Sequence, residues 1–185
     1  MSIQVIILNG GSSSGKTTLA RALQAELPDP WLTFGTDTLV DALPPRLFEG
    51  AGGLAVGAGG EVSAGEEFRR LDIAWSRGLA EVARSGARLI VDEVFLGGAA
   101  SQRRWEAALS GLDVLWVGVR CAPGTAAARE AARGDRTAGM ARGQAELVHR
   151  GVHYDLEVDT TAADPRVCAR AVAARVAAAD PREGQ

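Results

Sequence analysis

Apolar positions along the chain alternate between two rhythms, short continuous runs and stretches with helical spacing. Ile3–Leu8 is an almost uninterrupted apolar run, as a strand buried on both faces requires. Across Thr17–Leu27, Leu19, Leu23 and Leu27 recur four apart on one helical stripe, which Pro28 ends. Trp31–Gly35 predicts a second strand, Ala87–Val91 a third, Asp113–Arg120 a fourth and Tyr154–Val158 a short fifth. Helical spacing predicts helices near residues 66–85, 99–109, 124–133 and 137–150. A last helix starts at Asp164-Pro165, a capping carboxylate followed by proline in the first turn, and carries Val167, Ala171, Ala174 and Ala178. The alternation predicts βαβ units on a parallel sheet, an open α/β sandwich.

Residues 44–65 depart from this rhythm. Pro44-Pro45 closes one element, and the glycine-dense run from Gly50 to Gly65 offers few apolar side chains to pack. An irregular, mobile flap is expected there.

At 185 residues, with 46% apolar and 23% charged positions, the chain has the profile of one globular domain spanning 1–185. No apolar run reaches the roughly 18 residues that cross a bilayer, and Ile3–Leu8 is too short for an export leader. A net charge of −3, without a block of like charges, argues against nucleic acid or an anionic membrane as partner. Cys121 and Cys168 lack metal-ligand spacing and are expected as reduced thiols of a cytoplasmic protein. His149 and His153 lie near no cysteine cluster and read as structural or surface residues.

One compositional detail points to chemistry. Of the 20 basic residues, 19 are arginine, and the single lysine is Lys16. A chain so biased toward arginine keeps lysine where a compact ammonium is needed and a planar guanidinium will not serve. Lys16 falls in Gly10-Gly11-Ser12-Ser13-Ser14-Gly15-Lys16-Thr17, which fits G-x-x-x-x-G-K-[ST] directly after a strand and before a helix. In such a loop, backbone N–H groups cradle phosphate oxygens and the helix N-terminus adds its positive dipole end. Lys16 would reach the β- and γ-phosphates, and the Thr17 hydroxyl would ligate Mg²⁺. Gly10 through Thr17, with Thr18 after it, is therefore a candidate nucleoside-triphosphate site, with ATP and Mg²⁺ as expected cofactors.

Leu89-Ile90-Val91-Asp92-Glu93 is a hydrophobic strand ending in acids, and Asp92 is a second candidate Mg²⁺ group. Glu93, its neighbour on an extended chain, should face the opposite way. Arg129, Arg133 and Arg136 are spaced 4 and 3 apart and could share a helical face, with residues 129–143 as a lid over the transferring phosphoryl group. Arg133 and Arg136 are the favoured lid residues. Asp37 follows the second strand, whose carboxyl end should face the ligand crevice. It could take the proton of an acceptor hydroxyl, or simply cap a short helix over Thr38–Leu43.

These residues carry a resemblance. The chain is similar to the chloramphenicol phosphotransferase family, small P-loop kinases related in fold to shikimate and adenylate kinases. The similarity runs from about Val5 to Val176, through Ile7-Leu8-Asn9-Gly10-Gly11-Ser12-Ser13, Trp31-Leu32-Thr33-Phe34-Gly35-Thr36-Asp37 and Ala132-Arg133-Gly134-Asp135-Arg136. More particular are Phe95-Leu96-Gly97-Gly98-Ala99-Ala100 and Trp116-Val117-Gly118-Val119-Arg120-Cys121. The resemblance implies a nucleoside-monophosphate-kinase-like sandwich, with a five-stranded parallel sheet of order 2-3-1-4-5 and an arginine lid. It implies transfer of the γ-phosphoryl group of ATP to a primary hydroxyl of chloramphenicol. Asp37 would then be the general base, Lys16 and Thr17 would hold phosphates and Mg²⁺, and Arg133 and Arg136 would close over them. Ser14 and Thr17 depart mildly from the family pattern, and the glycine-rich 46–62 segment, which would border the acceptor pocket, departs more. A kinase of the same fold with another hydroxylated acceptor is the alternative, followed by a nucleotide switch or ATPase with no acceptor.

Overall fold

The computed structural model describes residues 2–50, 52–133 and 139–179. Along the chain lie β1 (Val5–Asn9), α1 (Lys16–Glu26), β2 (Trp31–Gly35), α2 (Thr36–Asp41) and a 3₁₀ turn at Pro45–Leu47. These are followed by β3 (Leu54–Val56), β4 (Val62–Ala64), α3 (Glu66–Arg84), β5 (Arg88–Glu93) and α4 (Ala99–Ala108). The second half comprises β6 (Val114–Arg120), α5 (Pro123–Arg133), α6 (Met140–Leu147), β7 (Leu156–Asp159) and α7 (Pro165–Ala179).

The main sheet has five parallel strands in the order β2-β5-β1-β6-β7. Counting only these strands along the chain, that is the expected 2-3-1-4-5. β1 lies at the centre, buried along its whole length, with β5 and β6 on either side. Its side chains alternate between the two faces, as the period of a strand dictates. Ile6 and Leu8 join Val117 and Val119 of β6 in a core under α1 and α7, which contributes Leu19, Leu23, Val172 and Val176. Val5 and Ile7 join Leu89 and Val91 of β5 on the other face, against Leu79 and Ala83 of α3 and Trp105 of α4. After β1 the chain moves out past β5 to form β2, and after β5 it returns to the far side of β1. The strand order therefore reverses beside β1, where open α/β sheets place ligands at the strand carboxyl ends.

The structure changes three expectations. The segment expected to be irregular contains regular structure: β3 and β4 form an antiparallel hairpin with Leu54 opposite Ala64 and Val56 opposite Val62. A third apolar cluster, Leu39, Leu43, Leu47 and Phe68, supports it together with Leu54 and Ala64. Gly53 is required there, because a Cβ on it would lie 1.8 Å from the Leu47 carbonyl oxygen. The helix expected at Thr38–Leu43 begins earlier, at Thr36, so Asp37 sits inside its first turn and Gly35 occupies the capping position. The N-cap position is therefore Gly35, and Asp37 lies two residues inside it. The last strand starts at Leu156 rather than Tyr154, because the Tyr154 hydroxyl is drawn into a buried polar network.

Candidate active site

β1 ends at Asn9, and the following loop turns into α1 under tight constraint. A Cβ on Gly10 would lie 2.6 Å from the Val119 carbonyl oxygen of β6, so only glycine lets the loop leave the sheet here. Ser13 takes a left-handed conformation, φ 56°. Lys16 is 6% exposed; its ammonium donates to the Gly11 carbonyl at 2.9 Å and lies 3.6 Å from Asp92 Oδ1. The Thr17 hydroxyl donates to Asp92 Oδ2 at 2.8 Å. Thr18 is exposed on α1, while the hydroxyls of Ser12, Ser13 and Ser14 are buried and have no partner among the described residues. From behind, Thr160 donates its hydroxyl to the Ser14 carbonyl at 2.6 Å.

Asp92 and Thr17 present hard oxygen donors side by side at the mouth of the loop. That donor set fits Mg²⁺, which takes few protein ligands and draws the remainder from phosphate and water. Among the described residues there is no cluster of three or more His, Cys, Asp or Glu, which a metal site built wholly from protein would need.

Lys16, Thr17, Asp92, Asp37 and Arg133 all line one small pocket at the loop mouth, so the structure brings these separated residues together. Arg133 is the exposed last residue of α5. Arg136 lies outside the described residues. Beside this pocket opens a cavity of about 590 Å³, and the two share Ser12, Thr36, Asp37 and Val94 as a common wall. The cavity is largely apolar: Val40 and Phe68 line it from the helices, and Leu54, Val56 and Val62 from the hairpin. Asp37 thus stands on the boundary between a phosphate-sized pocket and a space for a small molecule.

The polar groups of the cavity were not legible in the sequence. Glu93 is buried and faces away from Asp92, as alternation along β5 requires. Burial first, and the Asp72 carboxylate second, push its pKa up to about 8, while Arg104 and a hydrogen bond with Thr36 oppose that shift. Arg104 of α4 is paired with Asp72 of α3 at 2.8 Å. Burial raises the Asp72 carboxyl as well, with Arg104 pulling the other way.

The helices beyond the loop are anchored to it. Arg129 donates to the Thr160 carbonyl at 2.7 Å and lies 3.5 Å from the Cys121 sulfur. It therefore braces the loop from behind rather than lining the phosphate pocket. The buried Glu130 carboxylate accepts from Gly139 N at 2.9 Å and Ala141 N at 2.8 Å, capping the start of α6. On α6, Gln144 accepts from Ser12 N at 2.8 Å through Oε1. Cys121 and Cys168 are both free thiols.

Asn9 ties the end of β1 to three elements. Its Oδ1 accepts from Phe95 N at 2.9 Å, and its Nδ2 donates to Val148 O at 2.8 Å and to the Tyr154 hydroxyl at 2.6 Å. The phenol has one proton, so having accepted from Asn9 it donates to His149 Nδ1, 2.6 Å away. His149 is therefore structural and neutral, while His153 is exposed. Burial, reinforced by Arg120, lowers the His149 pKa to about 4 from the ordinary 6.5, and burial lifts Tyr154 to about 12. Between pH 6.5 and 4 the unfolded chain binds a proton at this histidine that the folded chain refuses, so stability falls as pH falls through that window. Thermal melting is expected to show a loss on the order of 1–2 kcal/mol from this group between pH 7 and 5, or a few degrees in Tm. His149→Asn, which keeps an acceptor for Tyr154 but cannot titrate, should flatten that part of the profile; an unchanged pH slope would refute the assignment.

A nucleotide-type loop at the switch point of a 2-3-1-4-5 parallel sheet defines the P-loop kinase fold. Solved structures agree. A sugar kinase from Janibacter sp. HTCC2649 aligns with a TM-score of 0.68 at 14% identity, covering 92% of each chain. The tunicamycin resistance protein of Deinococcus radiodurans aligns at 0.64 and 21% identity, covering 94% of this chain and 95% of that one. Shikimate kinase from Acinetobacter baumannii, in complex with shikimate, aligns at 0.62 and 14% identity, covering 97% and 96%. At these identities the likeness is one of fold. In sequence, two strains of Mycobacterium tuberculosis carry a protein named "putative O-phosphotransferase" that is 34% identical over 183 residues, covering 90% of this chain and 79% of the relative. The model of the chloramphenicol phosphotransferase-like proteins matches residues 3–177, and the chain belongs to that family. Among the described residues no helix is long and apolar enough to cross a membrane.

Proposed function

We propose that the protein is an ATP- and Mg²⁺-dependent O-phosphotransferase whose acceptor is the primary hydroxyl of chloramphenicol. The observation that carries this reading is the position of Asp37 on the wall shared by the loop pocket and the apolar cavity. A hydroxyl presented from the cavity meets a carboxylate there, facing the place where a γ-phosphate would end. Asp37 orients that hydroxyl and accepts its proton as the new O–P bond forms. The backbone from Gly10 to Thr18 holds the phosphates, and Lys16 compensates their charge. Thr17 and Asp92 hold Mg²⁺, which when bound offsets charge on the β- and γ-oxygens. Arg133 and Arg136 act as the lid that covers the transferring group.

The cavity favours a compact, largely apolar acceptor bearing a hydroxyl, because apolar side chains dominate its wall and its half-buried Arg104 is already paired with Asp72. Family membership makes chloramphenicol the first candidate. The hairpin that lines the cavity is the element in which this chain departs from the family pattern, and that favours a second hydroxylated antibiotic or metabolite as the next candidate.

Mass spectrometry of chloramphenicol incubated with the protein, ATP and Mg²⁺ tests the reading. The expected product is one phosphoryl group heavier, and absent from a Lys16→Ala control. ATP binding without any product would move the acceptor to another hydroxylated compound. Hydrolysis with no acceptor product across such compounds would leave an ATPase.

A further inference from the structure

We propose that Gln144 is a catalytic residue that donates a hydrogen bond from its side-chain nitrogen to the phosphoryl group in transit, an inference that rests on the phosphotransfer reading above. The orientation of the carboxamide follows from chemistry. Its partner at 2.8 Å is the backbone N–H of Ser12, which can only donate, so the oxygen of the amide faces the loop. Nε2 is then the free end. It has no hydrogen-bond partner among the described residues, and Gln144 lines the cavity alongside Ser12, Thr36, Asp37 and Val94, the residues shared with the phosphate pocket.

The amide is also held rigidly. A Cβ on Gly11 would lie 3.2 Å from the Gln144 carbonyl carbon, so the backbone of α6 rests directly on the loop. Glu130 fixes the start of the same helix through Gly139 N and Ala141 N, and Ala141 and Ala145 are buried beneath it. A donor fixed this way costs no reorganisation when charge develops in front of it.

In the transfer, the bond between the γ-phosphorus and the β,γ-bridging oxygen breaks, and its electron pair leaves with ADP. A bond from the acceptor oxygen to phosphorus forms, and the acceptor proton passes to Asp37. Negative charge is spread over the equatorial oxygens throughout, and a neutral N–H aimed at one of them stabilises the transition state.

The competing account is that Gln144 merely ties α6 to the loop. Glutamate and methionine together separate the two, because glutamate still accepts from Ser12 N but has no N–H to give, and neutral methionine removes the N–H without adding glutamate's negative charge. Gln144→Glu and Gln144→Met are compared with the native protein in chloramphenicol phosphorylation and in ATP hydrolysis without acceptor, together with ADP affinity and nucleotide-free melting. Gln144→Glu is expected to melt within a few degrees of native and to lose about 100-fold or more in kcat. Gln144→Met should lose about 10- to 100-fold in kcat with ADP affinity within about threefold. Turnover within about threefold of native in Gln144→Glu overturns the proposal in favour of a simple tie. Tighter nucleotide binding with undiminished turnover in Gln144→Met overturns it too, since the carboxamide would then be blocking the loop. If Gln144→Glu fails to fold, Gln144→Met alone decides. If the native protein hydrolyses ATP but leaves chloramphenicol unmodified, the acceptor assignment fails, and the hydrolysis rates still decide the role of Gln144.

Discussion

Lys16→Ala is expected to lower kcat/KM for phosphoryl transfer by about 10³-fold or more. Lys16 sits 3.6 Å from Asp92 and is sealed behind the Gly11 carbonyl, so its charge offsets a carboxylate before any nucleotide arrives. Removing it leaves Asp92 uncompensated at the mouth of a loop that must accept several phosphate negative charges. Ground-state nucleotide binding and turnover should therefore both suffer. Lys16→Arg is the sharper variant, because it keeps the charge and changes only the shape. A position 6% exposed, with a backbone carbonyl at 2.9 Å, has no room for a planar guanidinium, so arginine should be nearly as damaging as alanine. Steady-state kinetics and nucleotide titration read both effects. Near-native turnover in Lys16→Arg would show that charge alone matters, and that the single lysine among 19 arginines carries no chemical meaning.

What the sequence made legible follows from how local each signal is. The phosphate loop is one contiguous segment whose glycines, lysine and threonine have fixed offsets, so strand, loop and helix could be read together. Asp92 was visible because a buried strand ending in acids is a local pattern as well. Glu93 was placed on the opposite face by alternation alone, yet its partners Asp72 and Arg104 come from α3 and α4, and nothing near Glu93 in sequence announces them. Gln144 was invisible for the same reason, since its partner Ser12 lies 132 positions away. The hairpin escaped because Leu54-Ala55-Val56 and Val62-Ser63-Ala64 are too short for a period to emerge. Its stability comes from Leu39, Leu43, Leu47 and Phe68 beneath it rather than from its own composition. Arg129 shared the spacing of the lid arginines, and only the fold shows it turned toward Thr160.

Asp37→Asn separates a base from a structural carboxylate. Asparagine has nearly the same shape and can still take the second position of α2, so the helix and the shared wall should persist. What it cannot do is take a proton. If Asp37 accepts the proton of the acceptor hydroxyl, kcat for transfer should fall by about 10²- to 10⁴-fold. Affinity for ATP, measured by titration without acceptor, should stay within about threefold. The variant removes a negative charge from the pocket wall, so nucleotide binding should if anything tighten, whatever happens to turnover. The opposite pattern, weakened ATP binding and a lowered melting temperature with kcat per bound nucleotide preserved, would mean that the carboxylate only shapes the first turn of α2. Because the side chain lies where the phosphate pocket and the acceptor cavity meet, the split between kcat and nucleotide affinity reports on which side of that boundary its work is done.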